Sequence, residues 1–445
     1  MAFFESIWWL LVLIGVMIVV HELGHYWAAR YFDVKVEAFS FGFGPRLFGW
    51  RRGETDWRVS AIPFGGYVKM YGEQPGEISG DPEAAIDPRA FQAKPRWQRV
   101  IIAFAGPFMN ILLAVVFVAG LYMFHFERDR AFEEPAKIGY VAPDSPAGKL
   151  GIAAGDQIVR IDDITYPTWE QVFLRTVAAA EREIPIVVDR QGEKRALTIV
   201  PRLDKRTSAG VAGWGPYSRV VIRRLEMDLD AYRQGARPGD LVKKINDVEV
   251  TAPERVSELV RAGNGAPVKL LLERNGQEIE ITAKPEVRKT DDAPQGRPMI
   301  GLLPGPDVKV VQLPLGEAVV ESVKQNVKFA GSIYYMLRGM LEAKFSPKQL
   351  EGPVRMAQMS REAAKGGPEM FIGFMAMVSM NLAVFNLLPI PILDGGVILL
   401  LLIEMLVRRD LSLQIKETIF KLGFVFLMTL VVFVLYNDIT KIIRS

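Results

Sequence analysis

Two histidines four positions apart, with a glutamate beside the first, are the residues of this sequence best suited to catalysis. His21, Glu22 and His25 form the pattern H-E-x-x-H inside an apolar run that is typical of a helix. This spacing places both imidazoles on one helix face, where they can bind one zinc ion, and the glutamate can act as general base on water. The alternative is a structural pair of interfacial histidines. Ionisable residues at membrane depth are costly and usually functional, which favours the metal site.

The composition narrows the search for a third zinc ligand. The 445 residues include three histidines and no cysteine, which excludes disulfides, thiolate zinc sites and cysteine nucleophiles. A catalytic zinc typically has three protein ligands and one open position, so the third ligand is His125 or a carboxylate. His21 lies roughly 22 Å into the first apolar span, whereas His125 ends the second span near the opposite membrane face. We therefore expect His125 to be an interfacial side chain.

Two carboxylates remain in apolar surroundings, Asp394 and Glu404. Asp394 lies at the inner end of the third span, at a depth compatible with His21 and His25, and it follows Pro389 and Pro391. Prolines break a helix, and non-helical backbone at membrane depth occurs only inside protein or beside water. The segment before Asp394 could therefore house a polar reaction site. The alternative is a helix kink that contains a buried, hydrogen-bonded aspartate.

The composition predicts both lipid-embedded and water-facing parts. Half of the residues are hydrophobic (50%), 24% are charged and the net charge is +3, which gives no support for a nucleic-acid partner. A membrane-spanning helix needs about 20 apolar residues. Four stretches meet this requirement, the third being broken near its end: Ser6–Trp27, Val100–Phe126, Met370–Leu393 and Thr418–Tyr436.

Basic residues beside the spans predict their orientation. They are abundant between the first two spans and again after the third, at Arg408, Arg409 and Lys416. Both connections should therefore be cytoplasmic, which puts both termini and the polar segment 127–369 on the outer side. Lys441 and Arg444 near the C-terminus favour the opposite orientation.

The polar insert repeats itself at an offset of 84 residues, so that Gly151, Asp156 and Arg190 recur as Gly235, Asp240 and Arg274. Each copy shows a turn, a short strand, a helix-like run and two further strands. This pattern resembles the PDZ domain, particularly its circularly permuted bacterial form, and predicts two tandem copies. PDZ domains bind extended peptides at a sheet edge. The alternative is a pair of spacers that exclude bulky proteins by size, and the sequence does not decide between these roles.

The whole chain resembles the site-2 proteases, the intramembrane zinc metalloproteases. The resemblance rests on H-E-x-x-H in the first span together with N-x-x-P-x-P-x-L-D-G, which begins at Asn386. It implies that His21, His25 and Asp394 bind one zinc, that Glu22 is the general base and that Asn386 holds the substrate backbone.

A second resemblance to the same family lies between the first two spans. The segment Gly42, Phe43 and Gly44 resembles the family's glycine loop, which with strands around 57–59 and 64–68 dips into the membrane beside the site. Glycines permit close approach of the backbone, and an exposed strand edge can pair with an unwound substrate. The alternative is an ordinary hairpin with glycine turns.

The resemblance implies a multi-pass α-helical protein of the bacterial inner membrane with periplasmic termini and PDZ-like domains. It also implies cleavage of single-pass membrane proteins that have already been cut outside, such as anti-sigma factors, in a stress response, with remnant signal peptides as a second class. A catalytically silent PDZ-bearing scaffold is the competing hypothesis. The expected division begins with the first span and its H-E-x-x-H at 1–30, a β-rich loop at 31–99 and the second span at 100–126. Two PDZ-like domains follow at 127–220 and 221–309. An amphipathic helical linker at 310–369, with a helix at 345–364, leads to the third span at 370–408 and the fourth span at 409–445.

Overall fold

The structure is a computed structural model that describes residues 2–73, 87–124, 126–204, 209–290, 293–341 and 352–444. The chain forms two compact units. The first consists of Met1–Phe126, Val311–Leu341 and Leu350–Ser445, and the second is the insert Glu127–Val310.

The first unit contains the long helices and one hairpin. Its helices are α1 Ala2–Tyr31, α2 Arg96–Phe124, α8 Leu315–Leu341, α9 Pro353–Lys365, α10 Pro368–Asn386, α11 Asp394–Val407 and α12 Leu413–Arg444, with a 3-10 turn at Phe91–Ala93. Its hairpin strands are β1 Val36–Arg52 and β2 Thr55–Met70.

Four of the described helices are long and apolar enough to cross a membrane, and they confirm the four predicted apolar helices. They are Phe4–Tyr31, Arg96–Phe124, Pro368–Asn386 and Gln414–Thr440. The predicted third span consists of two helices, α10 and α11, joined by the non-helical segment 387–393. The prediction for His125 and the first part of the helix expected at 345–364 lie outside the described residues, whereas α9 covers the second part of that helix.

The hairpin is folded back on itself. The first half of β1, residues 36–41, pairs with residues 66–70 of β2 on one side and with residues 56–59 on the other. The second half of β1, from Arg46 to Arg52, pairs with Ser60 to Thr55. Residues 66–70 are therefore one edge of this sheet as far as the described strands show, and they belong to the same strand as Trp57 rather than to a separate one.

The insert contains the remaining elements. Its helices are α3 Arg130–Glu133, α4 Pro146–Lys149, α5 Trp169–Ala178, α6 Asp230–Arg233 and α7 Pro253–Ala262. The strands that enter and leave it are β3 Phe126–Asp129 and β20 Val308–Val311. The others are β4 Ile138–Val141, β5 Gln157–Ile161, β6 Ile164–Thr165, β7 Ile184–Arg190, β8 Glu193–Ile199, β9 Arg202–Leu203, β10 Gly210–Val211, β11 Trp214–Pro216, β12 Val220–Leu225, β13 Leu241–Ile245, β14 Val248–Glu249, β15 Val268–Arg274, β16 Gln277–Ala283, β17 Glu286–Thr290, β18 Ala293–Met299 and β19 Leu302–Pro306.

The 84-residue repeat corresponds to two similar sheet-and-helix structures. Strands β6, β5, β7 and β8 follow one another in the first sheet, and β14, β13, β15 and β16 hold the same places in the second. Each copy has one amphipathic helix, α5 or α7, that buries its apolar face in a separate core. The residues that recur in the sequence make the same contacts: Arg190 binds Asp156 and Gly151 O, and Arg274 binds Asp240 and Gly235 O.

Candidate metal centre

The first element of the site is the close contact between α1 and α2. A side chain at Gly24 would collide with the backbone carbonyl of Ala105, so the absence of a Cβ allows the two helices to approach. His21 and His25 lie one turn apart on α1, and both are buried, with 8% of each residue exposed. The H-E-x-x-H spacing therefore places both imidazoles on the face of α1 that is turned towards α2.

The second element is the break between α10 and α11. Pro389 and Pro391 cannot donate backbone hydrogen bonds, and α10 ends at Asn386. Ile392 adopts a φ of +90°, which is strained for a β-branched residue. Gly395 and Gly396 lack the Cβ that would collide with the carbonyls of Leu387 and Ile390. Asp394 thus begins α11 directly beside the break, and its carboxylate reaches the histidines.

The three expected ligand groups meet in one place. His21 Nε2 lies 3.3 Å from His25 Nε2, and the Asp394 carboxylate oxygens lie 3.2 Å from the first and 3.4 Å from the second. Among the described residues, these three form the one group of three or more histidine or acidic side chains whose possible ligand atoms all lie within 4.8 Å of one another. Ligand atoms arranged tetrahedrally about zinc, each about 2.0–2.1 Å from it, are about 3.3 Å apart. The donor set and its spacing therefore fit a zinc ion with an open fourth position.

A glycine on α2 leaves space for the ion. A Cβ at Gly106 would collide with His25 Nε2 and would lie 2.8 Å from His21 Nε2. Glycine at this position leaves open the volume in front of both ligand nitrogens. A metal ion fits this volume, and a methyl group would occupy it.

Two hydrogen bonds from α2 orient the imidazoles. His25 Nδ1 lies 2.8 Å from the carbonyl of Ile102, which can only accept, so the proton is on Nδ1 and Nε2 is free to bind a metal. His21 Nδ1 lies 3.2 Å from the amide Nδ2 of Asn110, whose fully buried Oδ1 has no partner among the described residues. Exchanging the two amide atoms, which differ only in assignment, lets Oδ1 accept the Nδ1 proton and leaves His21 Nε2 free as well.

Glu22 and Asn386 line the same cavity as the three candidate ligands. This cavity has a volume of about 380 Å³, and His21, Glu22, His25, Asn386 and Asp394 all contribute to its wall. The amide Nδ2 of Asn386 lies 3.4 Å from His21 Nε2. A carboxyl group and an amide therefore border the same cavity as the candidate metal group.

The edge of the hairpin sheet forms another wall of the cavity, at residues 66–68 and 70 of β2. A side chain on Gly66 would lie 3.3 Å from Glu22 Cγ, so this edge passes close to the glutamate. Of the expected glycine loop, Phe43 lines the cavity. Gly42 and Gly44, with φ of +90° and +86°, supply the bend in β1 that brings Phe43 there.

The structure thus brings together His21, Glu22, His25, Asn386, Asp394 and Phe43. Glu404, the other carboxylate considered, is not part of the metal group. Sequence reasoning missed Gly106 and Asn110. Asn110 had a usable signal, because a polar residue within an uncharged apolar span usually has a partner or a function.

The family profile and the curated relatives that match this chain point to the same protein family. The sequence profile of peptidase family M50 matches residues 9–430. A Vibrio cholerae protein provisionally named a zinc metalloprotease is 30% identical over 97% of this chain and 98% of its own length. The regulator of sigma-E protease RseP of Salmonella typhimurium is 30% identical, and that of Escherichia coli K12 is 29% identical, each with the same coverage. A solved PDZ domain of an SdrC-like protein from Listeria monocytogenes matches 19% of this chain with 17% identity and a TM-score of 0.17, too low to support an argument.

The family match contains every residue of the metal group, and the relatives align along almost the whole chain. Together with the apolar helices and the ligand geometry, these matches lead to one conclusion. This chain belongs to peptidase family M50, the site-2 protease family of intramembrane zinc metalloproteases.

Proposed function

We propose that this protein hydrolyses peptide bonds in or near the membrane-spanning segment of single-pass membrane proteins, as part of regulated intramembrane proteolysis. The observation that carries the proposal is that Glu22 lines one cavity with the three converging ligand groups of His21, His25 and Asp394. A scaffold without catalytic activity needs neither the ligands nor the glutamate. The catalytic interpretation therefore explains more of the site than the scaffold does.

We propose that His21, His25 and Asp394 hold one zinc ion per chain. When bound, zinc polarises a carbonyl group and lowers the pKa of water towards about 7. The fit rests on the ligand distances of 3.2–3.4 Å and on the space left by Gly106.

The residues around the ligands have distinct proposed tasks. Glu22 takes a proton from the attacking water and returns it to the nitrogen of the leaving amine. The amide of Asn386 holds the substrate backbone on the open side of the site. The edge of β2 at 66–70, with Phe43 beside it, pairs with an extended substrate segment. Such pairing requires a substrate helix to unwind, because a helix keeps its backbone groups in its own hydrogen bonds.

The proposed substrates are anti-sigma factors that a first protease has cut outside, with remnant signal peptides as a second class. Two relatives are named for sigma-E regulation, which supports the first class. We also propose four spans, with both termini and the insert periplasmic and the site towards the cytoplasm. The outer strand of the hairpin exposes Leu47, Phe48 and Trp50, each more than 60% exposed, which suits a strand that dips into the bilayer.

The proposed domains keep the boundaries predicted from the sequence, with PDZ-like domains at 127–220 and 221–309. The support is the shared strand order of the two copies and their separate cores. Peptide capture and exclusion by size are both compatible with two such domains.

The test is cleavage of a tagged single-pass substrate by the parent protein and by Glu22→Gln in the same cells. We expect loss of cleavage with unchanged protein level and unchanged zinc content. Glu5→Gln is the matched control, because Glu5 lies on the same helix but binds Lys365 at the surface. Equal cleavage by the parent and Glu22→Gln would show that the glutamate is not the general base and would favour the scaffold.

The metal assignment has its own test. Asp394→Ala should lose zinc in elemental analysis of the purified protein. If this variant keeps full zinc content and activity, the third ligand lies elsewhere.

A further inference from the structure

A second and larger cavity continues from the metal centre. Its volume is about 910 Å³, and it shares Asp394, Val397, Tyr67 and Phe43 with the smaller cavity around the ligands. Its far wall is formed by Arg99 at the start of α2, Glu404 in α11 and Lys416 in the first turns of α12. The space in front of the metal group therefore extends along α11.

Two side chains of this far wall each have one polar atom that is closed to solvent and has no partner among the described residues. Glu404 is only 1% exposed; its Oε1 accepts from Lys416 at 2.7 Å and from Leu411 N at 2.9 Å, but its Oε2 accepts nothing. Arg99 is only 6% exposed, and its Nε donates to nothing, although its Nη2 lies 3.6 Å from Asp410. Buried polar groups are normally hydrogen-bonded, so this pair requires an explanation.

The other charged groups of the cavity wall have partners. Lys421 binds Glu417 at 3.3 Å, and Lys69 binds Glu37 at 3.0 Å. The charge of Glu404 is already balanced by Lys416. What the wall lacks is one hydrogen-bond donor for Glu404 Oε2 and one acceptor for Arg99 Nε, and a peptide group offers both.

The distance from the metal group suits a peptide chain. Glu404 lies ten residues after Asp394 in α11, which is a rise of about 15 Å. An extended chain covers that distance with about four to five residues. A substrate held beside Asp394 at its scissile bond would reach Glu404 with one flank.

We propose that this cavity binds one flank of the substrate as an extended peptide, about four to five residues from the scissile bond. Because both atoms are closed to solvent, the two side chains turn towards the cavity when the substrate enters. Glu404 Oε2 then accepts from a substrate backbone N–H, and Arg99 Nε donates to a substrate carbonyl. Both are positioning residues that act on binding, and neither touches the reacting atoms. The inference rests on the proposed proteolytic function and deepens it by assigning a subsite.

The experiment uses the purified full chain in detergent with one single-pass substrate and two shortened versions of it that share its scissile region. One substrate keeps both flanks, and each of the others is cut back on one side to about two residues, too few to reach Glu404. For the parent we expect truncation of one particular flank to raise KM about tenfold with kcat unchanged, since hydrogen bonds to charged groups are lost. Glu404→Gln removes the charge and the Lys416 pair. It should raise KM for the two substrates that keep this flank and leave the KM of the substrate without it unchanged.

Two further variants complete the test. Arg99→Lys keeps a cation for Asp410 but removes the Nε donor, so it should produce the same loss of discrimination even if Glu404→Gln folds poorly. Glu362→Gln is the matched control, because Glu362 is exposed on α9 beside Arg355 and lines neither cavity. It should behave as the parent does.

The outcomes separate this inference from the proposed function. If the parent cleaves all three substrates and neither variant changes the effect of truncation, the subsite is wrong and the protease stands. If Glu404→Gln slows all substrates equally, the cavity serves the fold or binds lipid, and the subsite is again wrong. If the parent cleaves none of the substrates and matches Glu22→Gln, the proposed function itself fails.

Discussion

The absence of a side chain at Gly106 keeps the space between the two imidazoles open. A methyl group there would collide with His25 Nε2, and His25 cannot rotate away without losing its hydrogen bond to Ile102 O. We therefore expect Gly106→Ala to lose at least about tenfold in zinc affinity, comparable to the loss of an outer-shell partner. Zinc content by elemental analysis and substrate cleavage should fall together.

A control for this change lies on the same helix. Gly120 has nothing within 4 Å of an added Cβ, so Gly120→Ala should keep its zinc. Alanine favours a helix over glycine by about 1 kcal/mol, so general destabilisation does not explain a defect in Gly106→Ala. Full zinc binding by Gly106→Ala would contradict the placement of the ion between the imidazoles.

Among single residues, the sequence predicts the candidate ligands but not the residues that orient them. His21, His25 and Asp394 could be predicted because histidine is scarce in this sequence and because charged side chains at membrane depth are rare. Gly106 and Asn110 act through their distance to side chains on another helix. That distance depends on how α1 packs against α2, which spacing within one helix does not specify.

At the level of the elements, a carboxylate of α12 binds the start of α9. Asp438 is buried and accepts from the backbone N–H groups of Gly352 at 2.9 Å, Val354 at 3.1 Å and Arg355 at 3.3 Å. These are the free N–H groups of the first turn of α9, so Asp438 caps α9 from another helix.

We expect Asp438→Ala to lower the free energy of unfolding of this region by about 1–3 kcal/mol, because buried N–H groups lose their acceptor. Hydrogen exchange of α9 in the detergent-solubilised chain should become faster. Asp438→Asn keeps one carbonyl oxygen and should retain part of the protection. Unchanged exchange in Asp438→Ala would show that water replaces the cap at no cost.

In the insert, an ion pair between a buried aspartate and a partly exposed arginine recurs once in each copy. Asp156 accepts two hydrogen bonds from Arg190, at 2.6 and 2.8 Å, and one from Ala153 N at 2.9 Å. Burial alone would raise the pKa of Asp156, but the hydrogen bonds from Arg190 and Ala153 outweigh it and hold the pKa below its usual value. Ionised Asp156 therefore stabilises the fold above its unfolded pKa of about 3.9, and this contribution is lost as the pH falls through its lower folded pKa.

We expect Asp156→Asn to destabilise the first copy by about 1–2 kcal/mol at neutral pH, at the lower end because Arg190 is partly exposed. Hydrogen exchange of β5 and β7, corrected for the intrinsic rate, should be faster in the variant, and the difference should shrink below about pH 4. Asp163→Asn is the control, since Asp163 binds Arg175 at the exposed surface. A difference that persists at low pH would mean that the charge of Asp156 is not its source.

A helix or strand can be predicted from the sequence when the pattern that indicates it lies within one stretch of the chain. Apolar length predicts the four described helices that could span a membrane, and the 84-residue offset predicts two copies of one structure, because both signals lie along the chain. The folded-back hairpin was predicted only as separate strands. Its pairing of residues 36–41 with both halves of β2 depends on the bend at Gly42 and Gly44, whose direction the sequence pattern does not give.

In the whole molecule, the two points where the insert joins the helical unit lie close together, and this closeness makes the role of the insert testable by deletion. On the helical unit the chain leaves at the end of α2 and returns beside it: Leu313 N donates to Tyr122 O at 2.8 Å, and Gln312 Nε2 donates to Phe124 O at 2.7 Å. Neighbouring ends allow a domain to be removed with little disturbance of the rest. Residues 127–310 can therefore be replaced by a short flexible linker.

We expect this deletion to retain zinc and to cleave a substrate without an external domain as the parent does. If the insert excludes bulky proteins, a substrate that carries a folded external domain should be cleaved by the deletion protein and spared by the parent. If the insert captures peptides instead, the deletion should slow cleavage of substrates that end in an exposed carboxylate, because backbone capture of that group is lost. The same deletion with Glu22→Gln controls for other proteases in the cell. Unchanged selectivity towards both kinds of substrate would contradict both roles.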